Sequence, residues 1–202
     1  MTDVAIIDNG GANVASLRFA LQRLGATSHL TSNPHELRTA TRVILPGVGA
    51  AADAMARLQA LELAELIPQL TQPVLGICLG MQLLFAASEE GTDGEDTECL
   101  GILAERVARL QNRPDLPVPH MGWNQLTMTA ASPLLTGLQH GDYVYFVHSY
   151  AAPIGPWTLA TTDYGGEFSA AVRHDNFHGV QFHPERSAQA GSRVLANFLG
   201  MT

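Results

Sequence analysis

The sequence predicts an α/β protein with a mostly parallel central sheet, flanked by helices and carrying an added antiparallel β layer. Three observations lead there. Up to Ser88, short apolar runs alternate with helical stretches, the pattern of parallel strands joined by crossover helices. From Leu100 onward β-type stretches recur with little helix between them. Between the two halves, Pro73-Val74-Leu75-Gly76-Ile77 reads as a compact strand that turns abruptly into a helix over Leu79 to Phe85, with Cys78 at the corner.

Asp3 to Asp8 is an apolar strand ending in Asn9-Gly10-Gly11-Ala12, after which Asn13 can cap a helix with Val14, Leu17, Leu21 and Leu24 on one face. Gly25 stops that helix. A second strand, Thr27 to Thr31, leads to Asn33-Pro34, a capping residue followed by proline at the first helical position. Arg42 to Leu45 is a third strand, ending in Pro46-Gly47-Val48-Gly49 before an Ala-rich helical region with Met55, Leu58 and Leu61. Glu89 to Glu98 is an acidic, Gly-containing loop. Strand-type stretches follow at Leu100 to Leu110, Trp123 to Thr129, Asp142 to Tyr150, Thr158 to Asp163, Phe168 to His174 and Phe177 to Phe182, and Ser187 to Leu199 closes the chain as an amphipathic helix. No repeat or linker interrupts residues 1–202, so one domain is expected.

Composition narrows the function. Hydrophobic residues make up 46% and charged residues 15%, within the globular range. A net charge of -8 argues against a nucleic-acid partner, and all eleven basic residues are arginine. The apolar run at the N-terminus is too short for a signal or membrane segment, so a cytosolic location is expected. Cys78 and Cys99 have no metal-ligand spacing and no disulfide framework. The phosphate loop GxxxxGK[ST] is absent, and Gly10-Gly11 alone is a weak dinucleotide signal; no cofactor or metal is expected.

Ligands of parallel sheets gather beyond the carboxyl ends of the strands, which places Pro46-Gly47-Val48-Gly49 and Cys78 in one crevice. Gly76 and Gly80 let backbone pass close to a nucleophile on a strained turn. A helix N-terminus favours the thiolate, and the Leu79 amide can donate to a developing oxyanion. Gly179-Val180-Gln181-Phe182-His183-Pro184-Glu185 supplies the rest. His183 and Glu185 flank a proline that keeps the backbone extended, so both side chains point the same way, the histidine as base and then acid, the carboxylate fixing its tautomer. None of the other seven histidines combines such a setting with a carboxylate two residues on.

These motifs resemble the class I, or triad, glutamine amidotransferases. Pro46-Gly47-Val48-Gly49, Ser88-Glu89-Glu90-Gly91, Pro119-His120-Met121-Gly122-Trp123-Asn124 and Tyr145-Phe146-Val147-His148-Ser149-Tyr150 narrow the resemblance to the glutaminase subunits of imidazole glycerol phosphate synthase, over essentially the whole chain. The resemblance implies a glutamine amidotransferase type 1 domain over 1–202 in which Cys78 forms a glutamyl thioester and His183, held by Glu185, moves the protons. It implies an oxyanion hole from Leu79 and from Val48 or Gly49, and glutamine contacts from Gln82, Glu90, Ser149 and Tyr150. Gly47 and Gly49 as plain turn residues, and Glu90 as an exposed acid at the end of the helix that carries Gln82, are the competing readings.

Released ammonia needs a shielded route to an acceptor site, and the sequence holds no phosphate grip for such a site. The resemblance assigns that task to a separate (βα)₈-barrel cyclase subunit, docked against Asn9 to Asn13, Met121, Gly122, Trp123, Asn124 and the Tyr143/Tyr145 strand; Trp123 as an ordinary core residue competes with that reading. The loop Asn9-Gly10-Gly11-Ala12-Asn13 departs from the family's usual Tyr-Gly-X-Gly-Asn, and Ala51 stands where phenylalanine is frequent. A glutaminase of another pathway, a catalytically silent binding module and a thiol peptidase are the alternatives in function.

Overall fold

A computed structural model describes residues 3–10, 14–91 and 94–201. Its frame is an eight-stranded sheet. In chain order its strands are β1 (Asp3–Ile7), β2 (Thr27–Thr31), β3 (Val43–Gly47), β4 (Val74–Cys78), β9 (Thr127–Met128), β12 (Thr158–Asp163), β13 (Glu167–His174) and β14 (Phe177–Val180). Their spatial order is β2-β1-β3-β4-β14-β13-β12-β9. The neighbours from β2 to β14 run parallel, and those from β14 through β13 and β12 to β9 run antiparallel. The antiparallel half therefore continues the main sheet. Two smaller sheets complete the molecule: a ribbon of β8 (His120–Gln125) and β10 (Tyr143–His148), and a four-stranded sheet in the order β11 (Tyr150–Ala151), β7 (Leu103–Arg109), β5 (Phe85–Ser88), β6 (Thr97–Glu98).

The strands are apolar in runs because both faces of the sheet are covered. In β1, Val4 and Ile6 enter one core and Ala5 and Ile7 the other, as the two-residue strand period requires. The first core is closed by α1 (Ala15–Arg23), α6 (Ala188–Leu199) and the inner face of the β8/β10 ribbon, through Leu21, Phe198 and Phe146. The second is closed by α3 (Ala51–Ala60), α4 (Leu63–Leu66) and the small sheet, through Leu58, Leu66 and Phe85. Leu24, expected on the buried face of α1, is 36% exposed at its end.

Local signals held where they stood alone. Asn33 caps α2 (Pro34–Thr39) by accepting from the His35 amide at 2.9 Å, with proline in the first turn. Gly25 takes φ +79° after α1. The cap position of α1 falls on Val14, and Asn13, Gly11 and Ala12 lie outside the described residues.

The expected helix from Leu79 to Phe85 is shorter than its sequence suggests. α5 spans Leu79–Gln82 only. Beyond it, the carbonyls of Leu83, Leu84, Phe85 and Ala86 accept from the amides of Leu100, Leu103, Gly101 and Cys99. Phe85 to Ser88 pair in parallel with Leu103 to Val107, so the chain leaves the helical turn and passes into β5. Glu90 consequently lies beyond a strand, not eight residues along the helix of Gln82. Among the described residues no helix is long and apolar enough to cross a membrane.

Candidate active site

In register, Gly47 of β3 lies opposite Cys78 of β4, and Val180 of β14 opposite Ile77. The carboxyl ends of three parallel strands therefore meet in one place, and the residues that follow each of them border a cavity of about 460 Å³. Cys78, His183, Glu185, Val48, Gly49, Leu79, Gln82, Glu90, Ser149 and Tyr150, the predicted catalytic, oxyanion and substrate residues, all line it.

Cys78 sits at φ 54°, ψ −112°, a conformation that a non-glycine residue holds only when its surroundings impose it. The crossing of α5 over the sheet imposes it. A Cβ on Gly80 would lie 1.9 Å from the Leu45 carbonyl oxygen, and one on Gly76 would lie 2.6 Å from the Gly80 carbonyl oxygen. With both glycines, α5 starts directly from the strand end, so the Leu79 amide is in a first turn without an intrahelical acceptor. On the β3 side Gly49 turns the chain at φ +90°, and Val48 is 42% exposed.

His183 and Glu185 do converge, by a different route from the extended backbone expected. Pro184–Arg186 forms a 3-10 turn, closed by the Arg186 amide on the His183 carbonyl and the Ser187 amide on the Pro184 carbonyl. The turn brings His183 Nδ1 to 2.9 Å from Glu185 Oε1. β10 fixes the histidine backbone, since the His183 amide donates to the Tyr145 carbonyl at 2.9 Å. Ser187, wholly buried, accepts from the Tyr145 amide and donates to the His183 carbonyl. No sequence motif had singled out Ser187 as a brace.

His183 Nε2 and Glu185 Oε2 are buried without a hydrogen-bond partner. Unpartnered polar atoms inside a protein are rare enough to call for a function. Burial opposes a charge on the His183 imidazole, but the Cys78 sulfur, once it has given up its proton, and the Glu185 carboxylate outweigh it and push the ring up to about 10, so a proton received from sulfur is held on the ring. The other thiol, Cys99, is pushed up to about 12 by burial and by Glu90, so it lacks the nucleophile's setting. Both cysteines are free.

Among the residues expected to hold substrate, Gln82 is 3% exposed and both its N–H groups are engaged, on the Tyr150 carbonyl at 2.7 Å and Gln181 Oε1 at 3.0 Å. It can present only its oxygen to a ligand. Glu90 Oε2 accepts from the Ala51 amide at 2.9 Å, capping α3, where the Ala50 side chain has no acceptor. Burial raises the Glu90 carboxyl, the Ala51 amide lowers it and Asp53 raises it further. Its place at the cavity and at a helix start replaces the exposed helix-end setting.

The expected docking residues divide by strand alternation. Met121, Trp123 and Tyr143 are 67%, 49% and 55% exposed on the outer face of the β8/β10 ribbon. Asn124 falls on the inner face, where its amide donates to the Asp163 carbonyl at 2.9 Å. Gly122, at φ +143°, pairs with buried Phe146. Tyr145, opposite Trp123, carries the Arg186 guanidinium 4.4 Å over its ring. Behind the ribbon, His148 Nδ1 donates to the Tyr150 carbonyl at 2.8 Å, which leaves its Nε2 to accept from His120 Nδ1 at 3.0 Å. Burial holds both rings neutral, lowering His120 to about 4 and His148 to about 3; at His148 the Tyr150 carbonyl works against burial, and the neighbouring His120 and His183 rings would repel any charge.

A family model of class-I glutamine amidotransferases matches residues 5–201. The chain belongs to that family. Within it, imidazole glycerol phosphate synthase subunit HisH of Xylella fastidiosa strain Temecula1 is 54% identical, covering 100% of this chain and 98% of that one. The subunit HisH of Shewanella oneidensis is 51% identical, covering 98% and 96%. Two solved structures share the fold: one described as glutamine amidotransferase gives a TM-score of 0.73 at 18% identity over 98% of this chain and 99% of that one. PurLQS from Thermotoga maritima gives 0.68 at 17% identity over 98% and 97%.

Proposed function

We propose that this amidotransferase is the glutaminase subunit of an imidazole glycerol phosphate synthase, releasing ammonia from glutamine for histidine biosynthesis. The observation that carries the chemistry is the meeting of Cys78, on its strained corner, with the His183–Glu185 pair in one cavity. The relatives named HisH carry the assignment to that synthase.

In this reading the Cys78 proton passes to His183 Nε2 and the sulfur attacks the glutamine side-chain carbonyl carbon. The oxyanion is received by the Leu79 amide and one from Val48 or Gly49; one such donor is worth about 10²–10³ in rate. The imidazolium gives its proton to the departing nitrogen, the C–N bond breaks, and ammonia leaves a glutamyl thioester. Water, deprotonated by His183, then attacks the same carbon, and glutamate departs as the sulfur recovers its proton. Glu185 holds the tautomer that presents Nε2 throughout. Glu90 and the oxygen of Gln82 suit the substrate ammonium, with Ser149 and Tyr150 closing the rim.

The name subunit in the relatives supports a partner subunit, which we take to be a (βα)₈-barrel cyclase. Met121, Trp123 and Tyr143, exposed together on the outer face of the ribbon, are the surface we assign to it, whereas Asn124 and Gly122 face inward and Asn13 lies outside the described residues. Residues 1–202 act as one amidotransferase unit, and its free thiols suit the cytoplasm. Glutamate release by Cys78→Ser, with and without the cyclase and its nucleotide ligand, tests the reading: the variant is expected to bind the partner and release none. Full release would refute it, and recovery of a chorismate-using partner would move the chain to another pathway.

A further inference from the structure

Gln181 is a wholly buried glutamine beside the nucleophile, and burying a carboxamide is costly unless its atoms are partnered. Because Val180 lies opposite Ile77, the next residues, Gln181 and Cys78, emerge side by side. Gln181 Nε2 donates to Cys78 Sγ at 3.8 Å. Its Oε1 accepts from Gln82 Nε2 at 3.0 Å, and the other N–H of Gln82 is taken by the Tyr150 carbonyl at 2.7 Å. That arrangement gives the Gln181 amide one orientation, oxygen toward Gln82 and nitrogen toward sulfur. The thiol itself donates to the Val147 carbonyl at 3.7 Å.

When the proton moves from Sγ to His183, these two contacts respond in opposite senses. The Val147 oxygen loses a donor and faces a negative sulfur. The Gln181 N–H becomes a charge-assisted donor, about twice as strong as a neutral one. An interaction that strengthens only as the sulfur gains charge favours attack over rest. We infer, on the glutaminase reading above, that Gln181 holds the Cys78 thiolate and that Gln82 is the positioning residue that sets its amide.

The rate of Cys78 alkylation by a glutamine-like chloroketone, followed against pH on the full chain with the labelled site identified by mass, tests this. Alkylation reads the sulfur whether or not glutamine is turned over, so its outcome is separate from that of Cys78→Ser. The other titratable groups around the cavity, His183, Glu185, His148, Glu90, Tyr150 and Arg186, stay in place. Gln181→Leu is expected to slow alkylation at neutral pH about tenfold and to move its half-maximal pH up by about one unit, the size of one charge-assisted bond, with little change in KM. Gln181→Glu, which keeps an oxygen toward Gln82 but loses the N–H toward sulfur, is expected to lose at least as much. An unchanged profile in either folded variant overturns the inference. Should neither fold, the wild-type chain decides: the Gln181 side-chain amide nitrogen resonance follows the alkylation profile with pH and loses that step in Cys78→Ser, and a flat resonance overturns it.

Discussion

Gly80→Ala separates a geometric requirement from a chemical one, because residue 80 does not line the cavity and carries no titratable group. Its added Cβ would stand 1.9 Å from the Leu45 carbonyl oxygen, and the next atom met, the Leu45 carbonyl carbon, is only 2.8 Å away. An ordinary C···O approach is about 3.3 Å, so α5 and β3 must part by about 1.4 Å. Both are backbone and both are buried, so no side chain can swing aside. Overpacking of this kind costs about 1–3 kcal/mol, and at 202 residues that lowers the melting temperature by about 2–12 °C. The functional loss is larger. α5 carries the Leu79 amide and begins at Cys78, and a displacement of about 1 Å in a reacting group can cost about 10²-fold. Melting curves and glutamate release in the assembled synthase measure both, with Gly166→Ala as control, since a Cβ there meets nothing within 4 Å. A Gly80→Ala protein that melts and hydrolyses like the wild type would refute the account of the corner.

Glu90→Ala removes the cap of α3 and a carboxylate from the cavity; we expect about 1 kcal/mol of stability lost and KM for glutamine raised about tenfold with kcat nearly kept, read by melting and steady-state kinetics. Burial lowers His178 and His120 to about 4 and His148 to about 3 from an ordinary 6.5, so the unfolded chain binds more protons in that window. Their contribution is complete above pH 6.5 and is lost as pH falls through 4 to 3, which denaturant titrations at successive pH values will show as a falling midpoint. His178 carries a buried Nδ1 without a partner, so His178→Leu should cost little at pH 7 and make the acid loss shallower. The Cys78→Ser and Gln181 experiments stand with their proposals above.

Strand runs, the Asn33-Pro34 cap and the Gly25 stop were legible because each is decided by neighbours in sequence, and the match of Thr27–Thr31 and Thr158–Asp163 to expectation follows from clear turn residues on either side. The helix drawn from Leu79 to Phe85 overran because Phe85 to Ser88 pair as a strand with Leu103 to Val107, a partner no local window contains. His183 and Glu185 were found from their spacing, while the route that joins them, a 3-10 turn anchored by Ser187 and Tyr145, was not. Gln181 stood inside a quoted motif without a role. Its importance rests on the register of β14 against β4, which sets it beside Cys78.

From its residues alone, this protein had an α/β architecture, a cysteine on a glycine-flanked corner and a histidine with its carboxylate two positions on. Periodicity and steric freedom are properties of short segments, and they survive in whatever the rest of the chain does. Tertiary structure alone decided which strand lies against which, and with it the common cavity, the neutral state of His120 and His148, the capping work of Glu90 and the tether between Gln82, Gln181 and the sulfur. Those outcomes depend on burial and on hydrogen bonds between residues far apart in sequence, and they come into being only when the sheet closes.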